Sequence, residues 1–354
     1  CFHCHGPDSV TREASLRLDQ KEDLLAVATV VDGDSSALVS RVSHEDPDLK
    51  MPPPDSGRTL SQTEIDILTR WVGEGAPWQK HWSFIPPKTR PLPEVKRTAW
   101  VRNPIDHHVL AGLEAVGLQP SPEASRTQLL RRVTFDLTGL PPTLQEIDAY
   151  LADTAPGAYE RVVDRLLKSP HFGERMATEW LDASRYADSH GYSLDRRRVM
   201  WPWRDWVVEA FNKTLPYDQF TTWQIAGDLL PKATLQQKLA TGFSRNHMIN
   251  GEGGRIAEEN RVEYVMDMAE TVGTVWLGLT LNCCRCHDHK YDPISNREYY
   301  QFFGFFNQTP VTGAGGDPQT APNLAVPTSD QSETLASLAE RIKQTEHEIS
   351  VFND

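Results

Sequence analysis

Four of the five cysteines in this 354-residue chain fall into two copies of one pattern. Cys1-Phe2-His3-Cys4-His5 opens the sequence, and Cys283-Cys284-Arg285-Cys286-His287 repeats the C-x-x-C-H spacing about 280 residues later. Thiols three positions apart share one face of a helical turn, and the histidine after the second thiol joins them there. This is the spacing at which a porphyrin is attached covalently: the thiols add to its vinyl groups and the imidazole takes the proximal position on iron. The pattern predicts a tether and an axial ligand at Cys1, Cys4 and His5, and a second set at Cys283, Cys286 and His287. The expected cofactors are therefore two covalently attached haem c groups.

Other uses of the same thiols were weighed. A C-x-x-C pair also serves as a zinc half-site, a redox dithiol or a disulfide. Zinc prefers two ligand pairs separated by a loop, whereas each pair here has its own adjacent histidine. A local site from Cys283, Cys286, His287 and His289 would crowd four ligands into seven residues. A thioredoxin-type dithiol would open a helix in a βαβ unit, and neither copy does. Cys284 is left over and is expected to be a small buried residue.

Lys and Arg total 36 against 49 Asp and Glu, for a formal charge of −13. That balance excludes non-specific nucleic-acid binding and suits a soluble, basic redox partner protein. No apolar run reaches the length of a membrane span. Residue 1 is already a tethering cysteine, so an export signal is expected ahead of it. Thioether attachment of haem takes place on the oxidising side of a membrane, and the expected compartment is periplasmic or extracellular.

The predicted fold class is all-α, with an N-terminal mono-haem cytochrome c domain at 1–79 and a larger helical domain at 105–308 that carries the second motif. In the first segment Met51, among prolines in Lys50-Met51-Pro52-Pro53-Pro54, stands where a distal ligand is needed, and a thioether donor favours ferrous iron. Ser61 to Glu64 forms a capping box, followed by Ile65, Leu68, Trp71 and Val72 on one helix face. Residues 80–104 are a proline-rich linker in which His81-Trp82 is free to pack on a domain. Beyond it, Pro104 opens a helix, Thr143 to Glu146 forms a second capping box, and a helix through Tyr159 to Leu167 is closed by Ser169-Pro170. Further helices are expected near 171–187, 201–213, 217–227, 234–244, 256–278 and 296–307. Their tryptophans are assigned to core. Residues 309–328 are expected to be a flexible linker. Residues 329–354 form an amphipathic helix with Leu335, Leu338, Ile342 and Ile349 on one stripe, whose mate lies in a further C-terminal domain or a second subunit.

Several of these stretches resemble a known group. Cys1 to Asp8 and Lys50-Met51-Pro52-Pro53 are similar to the planctomycete-type cytochrome c domain. Arg132 to Pro142, Ser169 to Arg175, Ala226 to Pro231 and Cys286 to Ile294 are similar to the second planctomycete cytochrome module, the uncharacterised DUF1549-like domain. The resemblance implies the fold and haem chemistry, and no secure reaction; two haems in one exported chain suit an electron-transfer protein that is the redox part of a larger oxidoreductase. Such proteins abound in bacteria that degrade sulfated polysaccharides, which links this chain to carbohydrate breakdown by association.

The sixth ligand of a second haem separates two functions. Iron with two protein ligands transfers electrons, while an open face admits a small molecule. Candidates for that distal position are His171, His190, His247, Met248 and His81. A polar cleft beside the haem would make the chain an enzyme, peroxidase-like or a carbohydrate dehydrogenase, with Arg185 or Arg245 holding an anion and Asp188 or Glu252 taking protons. The plainer reading of those residues is a solvated face with helix–helix salt bridges. A third alternative is a binding or structural module with one haem and a zinc site. Gly251-Glu252-Gly253-Gly254 lacks the following Lys-Ser/Thr of a phosphate loop, so a nucleotide site is rejected.

Overall fold

Helices and the loops between them make up all regular structure that the computed structural model describes, over residues 1–6, 12–29, 36–79, 81–315 and 321–353. Among these residues the single β-bridge is the isolated pair Ser189 and Arg197. The all-α expectation holds. Pro7 and Asp8 of the cytochrome-like stretch, Lys80, and residues 316–320 of the expected flexible linker lie outside the described residues.

Sixteen α-helices follow one another among the described residues. Four are short or of moderate length and precede the linker: α1 (Phe2–His5), α2 (Lys21–Ala28), α3 (Ala37–Val42) and α4 (Gln62–Gly73). Then come α5 (Pro104–Ala115), α6 (Arg126–Thr138), α7 (Leu144–Ala152), α8 (Ala158–Leu167), α9 (Pro170–Ala183), α10 (Trp201–Asn212) and α11 (Tyr217–Ala226). The last are α12 (Leu235–Ala240), α13 (Gly242–Arg245), α14 (Ala257–Val272), α15 (Asn296–Phe306) and α16 (Ser329–Asn353).

Local sequence explains where they begin. Reciprocal capping boxes satisfy the free N–H groups of α4 (Ser61 with Glu64), α5 (Asn103 with Asp106), α6 (Ser125 with Gln128), α7 (Thr143 with Glu146) and α12 (Thr234 with Gln237). The helix through Tyr159 to Leu167 ends ahead of Ser169 and Pro170, as expected, and the same dipeptide also begins the next helix. The Ser169 hydroxyl accepts from the His171 N–H and Pro170 occupies the first turn, so the pair opens α9. A proline at N1 costs no hydrogen bond, which is why this dipeptide starts a helix as readily as it stops one.

The chain divides into two compact units that cut across the segments expected from sequence. The first comprises Cys1–Glu123 together with Cys283–Arg297; the second comprises Ala124–Asn282 and Glu298–Asp354. Both C-x-x-C-H copies thus lie in the first unit. Asp288, just past the second copy, is an electrostatic neighbour of Arg17. The core of the first unit is small: Ala28, Val72 and Ala76, flanked by Leu25, Leu38, Val39 and Trp71.

The second unit holds the main core, where Trp203, Trp206 and Val207 of α10 meet Phe243 of α13 and Val265, Met268 and Ala269 of α14. Trp180, Trp223 and Trp276 pack against it, as expected of core tryptophans, whereas Trp201 is exposed. In α9 the Gly173 N–H donates to Asn212 Oδ1 at 2.8 Å, and Asn212 Nδ2 donates to the Pro170 carbonyl at 3.1 Å. One side chain at the end of α10 thereby caps the start of α9. The stripe Leu335, Leu338, Ile342 and Ile349 on α16 is exposed, and so is Trp82 of the linker.

Candidate functional site

The N-terminal motif is a single helical turn. The Cys1 carbonyl accepts from the Cys4 N–H at 3.2 Å and from the His5 N–H at 2.8 Å. Cys1, Cys4 and His5 therefore follow one another round one turn, with both thiols free. The strand of chain after it closes over the turn: Glu13 N–H donates to the Cys4 carbonyl at 2.7 Å, Leu18 N–H to the His5 carbonyl at 2.9 Å, and Arg12 Nε to the Gly6 carbonyl at 3.0 Å. His5 Nδ1 is buried and has no hydrogen-bond partner. A buried imidazole with unspent polarity, beside two free thiols, fits the donor set of a tethered haem. Met51 is half-buried, and its N–H donates to the Arg41 carbonyl at 2.9 Å, which ties the methionine loop to the end of α3.

The second motif begins on the 3-10 turn Asn282–Arg285. Nearly every polar group of the following loop is spent inside the loop. Asn296 Nδ2 donates to the Cys284 carbonyl at 2.6 Å, and Asn296 N–H donates to Asp288 Oδ1 at 2.8 Å. His289 is buried, and its Nδ1 accepts from the N–H groups of Tyr291 at 3.2 Å and Asp292 at 2.8 Å. Cys284 is fully buried with its thiol on the Ile294 carbonyl at 3.6 Å, and burial pushes that thiol's pKa up. The expected buried role of Cys284 is what the structure shows.

The loop exposes Lys290 and Tyr291, and with them Cys283, Cys286 and His287. The last three are the two tethering thiols and the proximal imidazole of the pattern. His287 Nδ1 lies 2.7 Å from the Asp288 carbonyl. A carbonyl only accepts, so the proton sits on Nδ1 and the Nε2 lone pair is left for a metal, the tautomer that ligating histidines take. Among the described residues no three His, Cys, Asp or Glu side chains converge as a metal-ion site. A structural zinc needs four converging donors, while a haem needs only thioether bonds and axial ligands. The buried, loop-bound His289 does not join the others as the local zinc alternative requires.

The distal candidates are scattered. His81 is exposed, with Nδ1 2.7 Å from the Ser83 hydroxyl. His171 is exposed and bonded to Glu174 at 2.7 Å, and Met248 is exposed. His247 is fully buried, with Nδ1 donating to the Met248 carbonyl at 2.7 Å and Nε2 accepting from Arg245 at 3.1 Å. Burial drives its pKa down to about 3, against its bond to Met248 and with help from Arg245, Arg198 and Arg185, so it is neutral. His190 is buried, its Nδ1 donates to the Ile249 carbonyl at 3.0 Å, and its Nε2 has no partner.

Of the polar candidates of the second unit, Arg185 and Arg245 are electrostatic neighbours of Arg198 and His247. Arg185 is ion-paired with Asp267. Arg198 is buried and donates to the carbonyls of His247, at 2.9 Å, and Arg245. Burial lowers the pKa of both Arg185 and Arg198 to about 10. Asp188 sits at the rim, where it accepts from the Tyr186 hydroxyl at 2.7 Å, and Glu252 accepts from the Ser193 hydroxyl at 2.8 Å. Arg198, Asp267 and Glu270 were missed in the sequence. Arg198 closes the run Arg196-Arg197-Arg198, which has the signature of a solvated face, and the two acids lie one turn apart on a helix dense in charge.

Comparison with known families agrees with this geometry. The family described as planctomycete cytochrome C matches residues 1–55, and a protein family of unknown function, DUF1549, matches residues 104–311. No curated protein and no solved structure matches the chain.

Proposed function

Since the chain belongs to the DUF1549 family, with a planctomycete cytochrome C domain ahead of it, we propose that it is an exported dihaem electron-transfer protein, the redox part of a larger oxidoreductase. The observation that carries this reading is the loop after Cys283, which buries Cys284 and His289 and leaves Cys283, Cys286 and His287 to solvent with the imidazole in a ligating tautomer. A haem held there, like one at Cys1, Cys4 and His5, supplies one-electron exchange between ferric and ferrous iron.

The chain's own residues do the rest. Cys1 and Cys4, and likewise Cys283 and Cys286, tether by thioether bonds from exposed or half-exposed positions. His5 and His287 are the proximal ligands, and Met51 on its proline-stiffened loop is the distal ligand of the first group. The grouping of both motifs in one compact unit supports exchange between them. The −13 charge favours a basic redox partner. The export assignment follows from where thioether attachment occurs; among the described residues no helix is long and apolar enough to cross a membrane.

Intact-mass analysis of natively matured protein tests the proposal. Two porphyrin adducts per chain are expected, falling to one in the C283A/C286A variant and to the other one in C1A/C4A. A single adduct in the parent chain, or one iron with one zinc, overturns the dihaem assignment.

A further inference from the structure

The second unit contains a buried cation that no side chain among the described residues neutralises. Arg198 is only 7% exposed, and its guanidinium rests on two backbone carbonyls, with no ion pair to it among the described residues. Arg245 and Arg185 are close enough to repel it electrostatically. Burying a charge against neutral acceptors and like charges is costly unless an anion completes the site.

The neighbouring groups are also incomplete. Hydrogen bonds from Arg198 N–H to the Asp188 carbonyl, from Ile249 N–H to the His190 carbonyl and from Arg198 to residues 245 and 247 lace residues 188–198 to residues 245–249. Arg185, whose Nη1 is ion-paired with Asp267, is an electrostatic neighbour of Arg198 and His247, and its Nε and Nη2, like Asn246 Nδ2, are buried donors without acceptors. His190 Nε2 and Asn246 Oδ1 are buried acceptors without donors, since His190 Nδ1 already holds the ring proton against the Ile249 carbonyl. Buried polar atoms are almost always paired, so five orphans in the stretches that hold the buried Arg198 cation and its neighbour Arg185 call for a partner.

The backbone supports this. Arg185 sits just past α9 at φ +61, the left-handed position where helices usually place glycine, and its N–H donates to the Asp182 carbonyl while Tyr186 N–H reaches the Leu181 carbonyl. A long side chain tolerated at a glycine position points to a need for the side chain. Arg185 and Arg245 are partly exposed, which opens the cluster to solvent.

We propose that Arg185, Arg198, Asn246 and His190 form a binding site for a small hydroxylated carboxylate. The guanidinium and amide donors take the carboxylate oxygens, in the forked geometry arginine offers. The His190 and Asn246 acceptors take the ligand's hydroxyl. The site stands on residues of the second unit alone and does not depend on either haem.

Thermal unfolding of the full chain, followed by tryptophan fluorescence at fixed ionic strength, tests it with glycolate, acetate, inorganic phosphate and chloride. Glycolate is expected to raise the melting temperature saturably, acetate to require at least about tenfold higher concentration, and chloride to do nothing; losing the hydroxyl's hydrogen bonds sets that ratio. A phosphate response matching glycolate would replace the carboxylate assignment by hydrogen phosphate. R198Q is expected to abolish the glycolate shift. Should R198Q fail to fold, N246L decides: it is expected to raise the melting temperature of the ligand-free protein and to remove the glycolate increment. A glycolate shift unchanged in N246L, or equal shifts from glycolate and chloride in the parent chain, overturns the site.

Discussion

At the scale of single residues, His247 makes the clearest claim. Its folded-state pKa of about 3 lies below the ordinary value of 6.5, with burial the main cause. As pH falls, the unfolded chain takes up that proton first. The contribution of His247 is therefore full above about pH 6.5 and is lost on the way down to about 3, at a limiting slope of about 1.4 kcal/mol per pH unit. Urea unfolding of the second unit at pH 7.5 and pH 5.5 should show the decline, and H247Q, which keeps an acceptor near Arg245, should flatten it. Met51 is the second test. M51A is expected to lower the potential of the N-terminal haem by on the order of 100 mV, a fraction of the roughly 0.8 V that axial ligands span, and to abolish its sulfur-to-iron band. An unchanged redox titration would remove Met51 from the iron. The two C-x-x-C-H motifs can be read as spacing, because covalent attachment needs residues close in sequence, whereas Met51 is marked only by the prolines that follow it. The arginine cluster is only half legible, since nothing in one dimension tells a buried Arg198 from the exposed Arg197 beside it.

At the scale of helices, beginnings were easier to find than endings. The Ser61 and Thr143 boxes are chemical signals contained in four residues, and both form as expected. T143A should cost about 1 kcal/mol, read as a fall in the urea midpoint of the second unit, because it strips the hydroxyl that accepts the Glu146 N–H. Packing decides what such signals leave open. The stretch Ser169 to Arg175 is explained by the crossing of α9 and α10, where a Cβ on Gly173 would stand 2.5 Å from Asn212 Cγ and hard against the Val208 carbonyl. G173A forces those two helices apart and should destabilise by roughly 1–3 kcal/mol. If G173A unfolds at the parent's urea concentration, that close approach is not what holds the pair. Sequence could flag a glycine there, but only the facing helix gives the reason.

At the scale of the whole chain, apolar burial is uneven. The large aromatic core belongs to the second unit, while the first has the small cluster of Ala28, Val72 and Ala76, with Val42, Leu110 and Cys284 buried outside it. Small cores support little stability on their own. Chain produced without haem attachment should therefore unfold in two steps, the first unit at lower denaturant; superimposable transitions from haem-region labels and tryptophan fluorescence would contradict this. The all-α class was legible from helical periodicity throughout. The partition was not: a linear reading assigns residues 283–297 to the segment that surrounds them, and only contacts made across the fold return them to the N-terminal unit.

That return has a bearing on biosynthesis. In the order of synthesis, the N-terminal unit is complete only once residues 283–297 have been made. A cut at residue 104, where one family match begins, would sever it from a part of itself. Exchanging the two family-matched modules between relatives should then yield folded hybrids only when the short stretch around Cys283 travels with the leading half.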